Sequence, residues 1–136
     1  MADTELEALT AYLQSLDAAG VDGIIVQDLA VALLARRVVP NLPLHGSTQM
    51  TVADSDGVRF LEENGFTQAV LSRELSLADI QSVCASSPLA IEVFIHGASC
   101  MAYSGQCLMS SFLGGAAEIA GLVPSLAVSL ILWFAT

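Results

Sequence analysis

Apolar and polar positions fall in blocks along this chain: stretches of helical periodicity alternate with short, unbroken apolar runs. Over residues 3–19, Leu6, Leu9, Leu13 and Leu16 recur at helical spacing, Asp3 or Thr4 caps the start and Gly20 ends it. Ile24 to Val26 is a short apolar run that finishes on Gln27-Asp28. A second helix, Leu29 to Val38, closes at Pro40. Leu42 to His45 reads as the next strand and runs into Gly46-Ser47-Thr48-Gln49. A third helix, Ala53 to Asn64, ends at Gly65, and the strand Ala69 to Ser72 leads to Arg73-Glu74. Ser76 caps a fourth helix, Leu77 to Ala85, with Asp79 in its first turn. After Pro88 comes a strand through Ile91, Val93, Phe94 and Ile95 that breaks at His96-Gly97.

The repeating unit is helix then strand, four times over, with strands starting near residues 24, 42, 69 and 90. Such alternation predicts an α/β fold of repeated βα units around a parallel sheet. The strands lack strict alternation, as expected where both faces are covered. A repeat of about two dozen residues suits a TIM-type (β/α)8 barrel, for which ~250 residues are usual. The 136 residues here correspond to about half of one. A half barrel leaves two sheet edges unpaired and predicts that the isolated chain aggregates. A small doubly wound sheet satisfies the same pattern.

Composition adds a core and removes some partners. The chain is 54% hydrophobic and 13% charged, enough apolar material for one domain. Its net charge is −10, from four arginines and no lysine against 14 acidic residues, so it shows no basic nucleic-acid patch. The early acidic residues Asp3, Glu5, Glu7, Asp17, Asp22 and Asp28 fall at helix starts or on solvated faces. Three cysteines without disulfide-framework spacing, and no signal peptide at the start, point to a reducing, cytoplasmic setting.

In parallel α/β folds the site lies at the carboxyl ends of the strands. Those positions hold Gln27 and Asp28, then His45, Ser47, Thr48 and Gln49, then Arg73 and Glu74, then His96, Ser99 and Cys100. Ser47 and Thr48 also read as helix caps. His45 and His96 are each a base, a ligand or a histidine satisfied by a neighbouring carbonyl. Arg73-Glu74 is an anion-reading pair or a structural ion pair. Glu92, inside a strand, must meet a cation or a polar core layer. Cys100 and Cys107, six residues apart in a Gly/Ser-punctuated loop, are soft ligands or small hydrophobes, too few to close a zinc site. Cys84 sits on an apolar helical face and reads as core.

Residues 92–110, EVFIHGASCMAYSGQCLMS, closely resemble the signature of the collagenase-like peptidase family U32. The matching positions are Glu92, Phe94, Gly97-Ala98, Cys100, Ser104-Gly105, Cys107 and Ser110. The AGVDGIIVQD, PLHGSTQ and SRELSLADI stretches are similar to successive barrel units, so the likeness spans about residues 3–115. It implies a fragment of a U32-like barrel, inactive by itself. By family name the parent is a peptidase, with His45, Arg73, Glu74, Glu92 and His96 as catalytic candidates and protein as substrate. By its cysteines, the parent assists hydroxylation of RNA bases or ubiquinone precursors. Cys100 and Cys107 are then the first two ligands of a 4Fe-4S cluster. That cluster does not close within a chain of three cysteines. From residue 116 the chain departs from the family pattern into the apolar stretch AAEIAGLVPSLAVSLILWFAT. This tail, residues 116–136, reads as a frameshifted or truncated end or, alternatively, as a membrane contact that would make the chain a non-enzymatic tethered module.

Overall fold

The structure is a computed structural model that describes residues 6–97, 100–107 and the backbone of 130–131. Its element order is α1 (Leu6–Ala18), β1 (Ile24–Val26), α2 (Leu29–Val38), β2 (Leu44–Gly46), a 3₁₀ turn (Thr48–Met50), α3 (Ser55–Glu63), β3 (Gln68–Val70), α4 (Leu77–Ser86), β4 (Ala90–Glu92), β5 (Phe94–His96) and β6 (Leu130–Ile131). Local chemistry fixes the helix ends. Asp28 accepts from the Ala30 amide at 2.7 Å, and Asp54 accepts from that of Gly57 at 2.8 Å. Ser76 and Asp79 form a reciprocal capping box at the start of α4. At the end of α3, Gly65 adopts φ +80, and the Phe66 amide reaches back to the Leu61 carbonyl at 3.0 Å, a Schellman-type stop.

Four strands form one parallel sheet in the order β1-β2-β3-β4. This order decides between the two architectures the sequence allows. A doubly wound sheet reverses its strand order at a switch point and carries helices on both faces. A sheet that grows in one direction through crossovers of one hand keeps its helices on one face. The chain is therefore a barrel-like arc of βα units.

The register identifies the faces. Ile25 pairs with His45 and His45 with Gln68, while Gln68 pairs with Ala90 and Val70 with Glu92. These residues alternate with Val26, Leu44, Ala69 and Leu71, which join Ala32, Ala35, Val58, Leu61 and Val83 in the buried core. The helices thus cover the Leu44 face. The opposite face, which would be the barrel interior, carries Ile25, His45, Gln68, Val70 and Glu92. Within the sheet, β2 packs closely on α3 at Gly46, where an added Cβ would lie 2.5 Å from Leu61 Cδ1.

Three expectations change. The final strand is not continuous: Val93 separates β4 from β5, and β5 pairs antiparallel with β6, joining Phe94 to Ile131 and His96 to Leu130. Cys84 is exposed rather than core, because α4, on the terminal βα unit, buries only Val83. The strand predicted from Leu42 begins at Leu44; Leu42 is buried, but its amide closes a turn onto the Val39 carbonyl. Among the described residues no helix is long and apolar enough to cross a membrane. The remainder of the 116–136 tail lies outside the described residues, as do Ser99 and Ser110.

Candidate functional site

The carboxyl end of the sheet receives the loop 100–107, and one residue seats it. Ser104 is 2% exposed, midway between Cys100 and Cys107. Its amide donates to Glu74 Oε1 at 2.9 Å, and its hydroxyl donates to the same oxygen at 3.1 Å. The Arg73 amide donates to Ser104 Oγ at 3.2 Å. The Ser104 carbonyl accepts from Thr51 Oγ1 at 2.9 Å. Every polar atom of Ser104 is thus bonded to a residue beyond the end of β2 or β3. Arg73 adds a second point, donating from Nη2 to the Ala102 carbonyl at 3.0 Å.

Two backbone conformations accompany this seating. Thr51 has φ 58 and ψ 42, the left-handed region, which a β-branched residue rarely adopts. Such a residue carries about 1–3 kcal/mol of strain and persists where its surroundings hold it; here the Thr51 amide bonds to the Thr48 carbonyl and its hydroxyl to Ser104. Gly105 has φ +75, and an added Cβ would lie 2.3 Å from the Gln49 carbonyl oxygen. Only glycine fits that turn.

The electrostatics agree. Burial raises the pKa of Glu74, but the hydrogen bonds from Ser104 Oγ and the Ser104 amide, its own backbone N–H and the Arg73 charge outweigh it. The carboxyl is held below the ordinary value of 4.5. The Arg73–Glu74 ion pair is 3.8 Å long with both side chains 28% exposed, so it is the weaker part of the arrangement.

A second group lies on the uncovered face of the sheet. Gln68 and Glu92, both buried, are joined by a hydrogen bond from Gln68 Nε2 to Glu92 Oε2. Glu92 therefore meets a polar layer rather than a cation. Half-buried His45 neighbours Gln68 in the register, on the opposite side from β4, and its ring also lies against Gly23, where an added Cβ would come within 3.1 Å of Nε2.

The predicted candidates therefore divide. Arg73 and Glu74 hold the cysteine loop, while His45 and Glu92 flank Gln68. His96 is exposed on the separate β5–β6 ribbon and, among the described residues, makes no hydrogen bond with the others. Asp28 and Ser47 are caps, and Thr48 Oγ1 donates to the Leu71 carbonyl. Gln27 and Gln49, with Thr51, Phe60 and Gln106, line a cleft of about 380 Å³ beside the loop. Cys100 is exposed and Cys107 half-buried, both as free thiols. Among the described residues no group of three or more His, Cys, Asp or Glu is placed to hold a metal ion. Sequence reading missed Thr51, Gln68 and Ser104 in these roles. The Ser104-Gly105 turn lay inside the recognised motif; Thr51 gave no signal.

With this geometry in view, the chain belongs to Peptidase family U32, which it matches over residues 1–121. It is 44% identical over 108 residues to the 23S rRNA 5-hydroxycytidine C2501 synthase of Escherichia coli (strain K12), covering 79% of this chain and 16% of that protein. It is 41% identical over 108 residues to tRNA hydroxylation protein P1 of Bacillus subtilis (strain 168), covering 79% of this chain and 26% of that one. Its fold is similar to that of the U32 peptidase Mk0906, with a TM-score of 0.58 and 16% identity over 68% of this chain and 38% of that structure. The chain therefore spans about a quarter or less of the length of these curated relatives.

Proposed function

We propose that this chain is the cysteine-loop portion of a U32 protein that takes part in hydroxylating RNA bases, in the cytoplasm, and that it has no proteolytic role. The observation that carries this reading is the 41–44% identity over 108 residues to two RNA-hydroxylation proteins. The likeness to the U32 peptidase, at 16% identity, supports the fold alone. The geometry also speaks against proteolysis in this portion. Glu74 is occupied by Ser104, whose hydroxyl is buried with only 2% of the residue exposed, and Glu92 is buried against Gln68, so neither carboxylate stands beside a nucleophile open to a substrate.

The acidic balance of −10 fits a portion that presents ligands rather than one that grips a phosphate backbone. RNA contact then belongs to the remainder of the parent protein. Free thiols at Cys100 and Cys107 suit two ligand positions of an iron–sulfur cluster, which would supply redox chemistry when bound. The described residues offer no complete donor set, so further ligands would come from elsewhere in the parent.

The test is nucleoside mass spectrometry of tRNA and rRNA from the native cell with and without the gene. The reading predicts that a nucleoside heavier by one oxygen atom disappears on deletion, returns with the wild-type gene and does not return with Cys100→Ser. An unchanged nucleoside profile, with gelatin cleavage that follows the gene, would overturn it.

A further inference from the structure

The surroundings of Ser104 carry one step beyond this reading. A loop that only needed to pass over the sheet would not require all three polar groups of a buried residue to be bonded to sequence positions 30 to 53 residues away. Nor would it require a threonine held in the left-handed region on the facing turn. The convergence lies between two thiols, four residues after Cys100 and three before Cys107. We propose that Thr51, Arg73 and Glu74 form a clasp on Ser104 that fixes the presentation of Cys100 and Cys107. They are positioning residues for these thiols.

The division of labour follows from the chemistry. Glu74 is a charged acceptor receiving two N–H or O–H groups from one residue, the stronger class of hydrogen bond, and it sets the depth of the loop. Thr51 fixes the direction in which the chain leaves Ser104 toward Gly105 and Cys107, because it holds the Ser104 carbonyl. Arg73 fixes the approach from Cys100 through Ala102. Loss of one member loosens one side of the loop before it affects the sheet, whose core lies under the helices rather than at the carboxyl end. The functional importance of the clasp rests on the proposed role of the two cysteines; its existence does not.

The chain supplies its own reference for the test: Cys84, exposed on α4 and remote in sequence from the loop. The 136-residue chain is pulsed with iodoacetamide, and alkylation of each cysteine is quantified by peptide mass spectrometry. The key variant is Thr51→Gly, which relieves the left-handed strain while removing the hydroxyl, so overall stability and loop seating are expected to move apart. The clasp predicts that the Cys107-to-Cys84 rate ratio rises about tenfold in Thr51→Gly and in Glu74→Ala, as expected when a charged or strained anchor is lost from a locally opening loop. Thr51→Ser, which keeps the hydroxyl, restores the wild-type ratio. A ratio within about threefold of wild type in both loosening variants overturns the proposal. So does a rise of all three thiols together, which reports general unfolding. Either failure leaves the RNA-hydroxylation reading intact, and loss of that reading in the nucleoside experiment leaves the labelling result intact.

Discussion

Gln68 donates its side-chain amide to Glu92 across the junction of β3 and β4, with both residues buried on the sheet face that carries no helix. The helix-covered face of the same strands is apolar throughout, built from Val26, Leu44, Ala69 and Leu71. One sheet thus has an apolar side that holds the fold and an uncovered side on which Gln68 and Glu92 satisfy one another.

That pairing makes an asymmetric prediction. Gln68→Ala removes the donor and leaves a buried carboxylate short of a partner, so it destabilises the chain by about 1–3 kcal/mol. Replacing both, Gln68→Leu with Glu92→Leu, removes donor and acceptor together and costs less than the single change. Urea unfolding followed by circular dichroism measures both. Equal losses would show that the bond is incidental.

Acid acts on the clasp through Glu74. Its carboxyl is held below 4.5 in the folded chain, so its stabilising contribution is fully present above the ordinary glutamate range. The contribution is lost as pH falls through the depressed native value. Asp79 is lowered too, by the hydrogen bonds from the Ser76 hydroxyl and amide, and shifts stability in the same direction. Wild type and Glu74→Gln should therefore be compared: their stability difference narrows on acidification from about pH 6 to pH 3 while the Asp79 contribution cancels. A difference constant with pH would remove Glu74 from the clasp.

Gly105 tests the same contact sterically. An added Cβ meets the Gln49 carbonyl at 2.3 Å and Thr51 Oγ1 at 2.6 Å, both on the turn that faces the loop. Gly105→Ala must displace the loop or the turn and adopt a positive φ, whereas alanine at Gly20, also at positive φ but in open space, carries only the backbone cost. Limited proteolysis is expected to cut Gly105→Ala faster between residues 100 and 107 and to leave that segment of Gly20→Ala as resistant as wild type.

Edge exposure gives another expectation. Ile25 is 63% exposed on β1, a terminal strand of the parallel sheet, beside a cleft of about 480 Å³ lined by Leu9, Tyr12 and Leu13. Ile25→Lys places a charge on the uncovered face of that edge strand and should raise the concentration at which the chain stays monodisperse in light scattering. No change would locate the aggregation-prone surface elsewhere.

The sequence disclosed what depends on near neighbours. Asp28 and Ser76 cap helices where they were expected to, and Gly65 stops α3, because each acts on residues within a few positions. The parallel sheet followed from the βα alternation, and the half-barrel reading from repeat length and resemblance. Strand ends were less legible: Leu42 is as apolar as a strand residue but serves the core from a turn. Arg73-Glu74 was visible as a pair, yet its main partner, Ser104, lies 30 residues from Glu74 and could be found only in the folded chain. Thr51 is the extreme case, since a threonine in the left-handed region carries none of the glycine or asparagine signal that marks such positions.

The central structural claim, that loop 100–107 is seated by Ser104, is tested most directly by amide hydrogen exchange resolved to single residues. The Ser104 amide is bonded to Glu74 in a residue only 2% exposed, whereas Met101 in the same loop is 98% exposed. The account predicts that Ser104 exchanges on the order of a hundredfold more slowly than Met101, and that Glu74→Ala erases most of the gap. Exchange of Ser104 as fast as that of Met101 in the wild-type chain would contradict it.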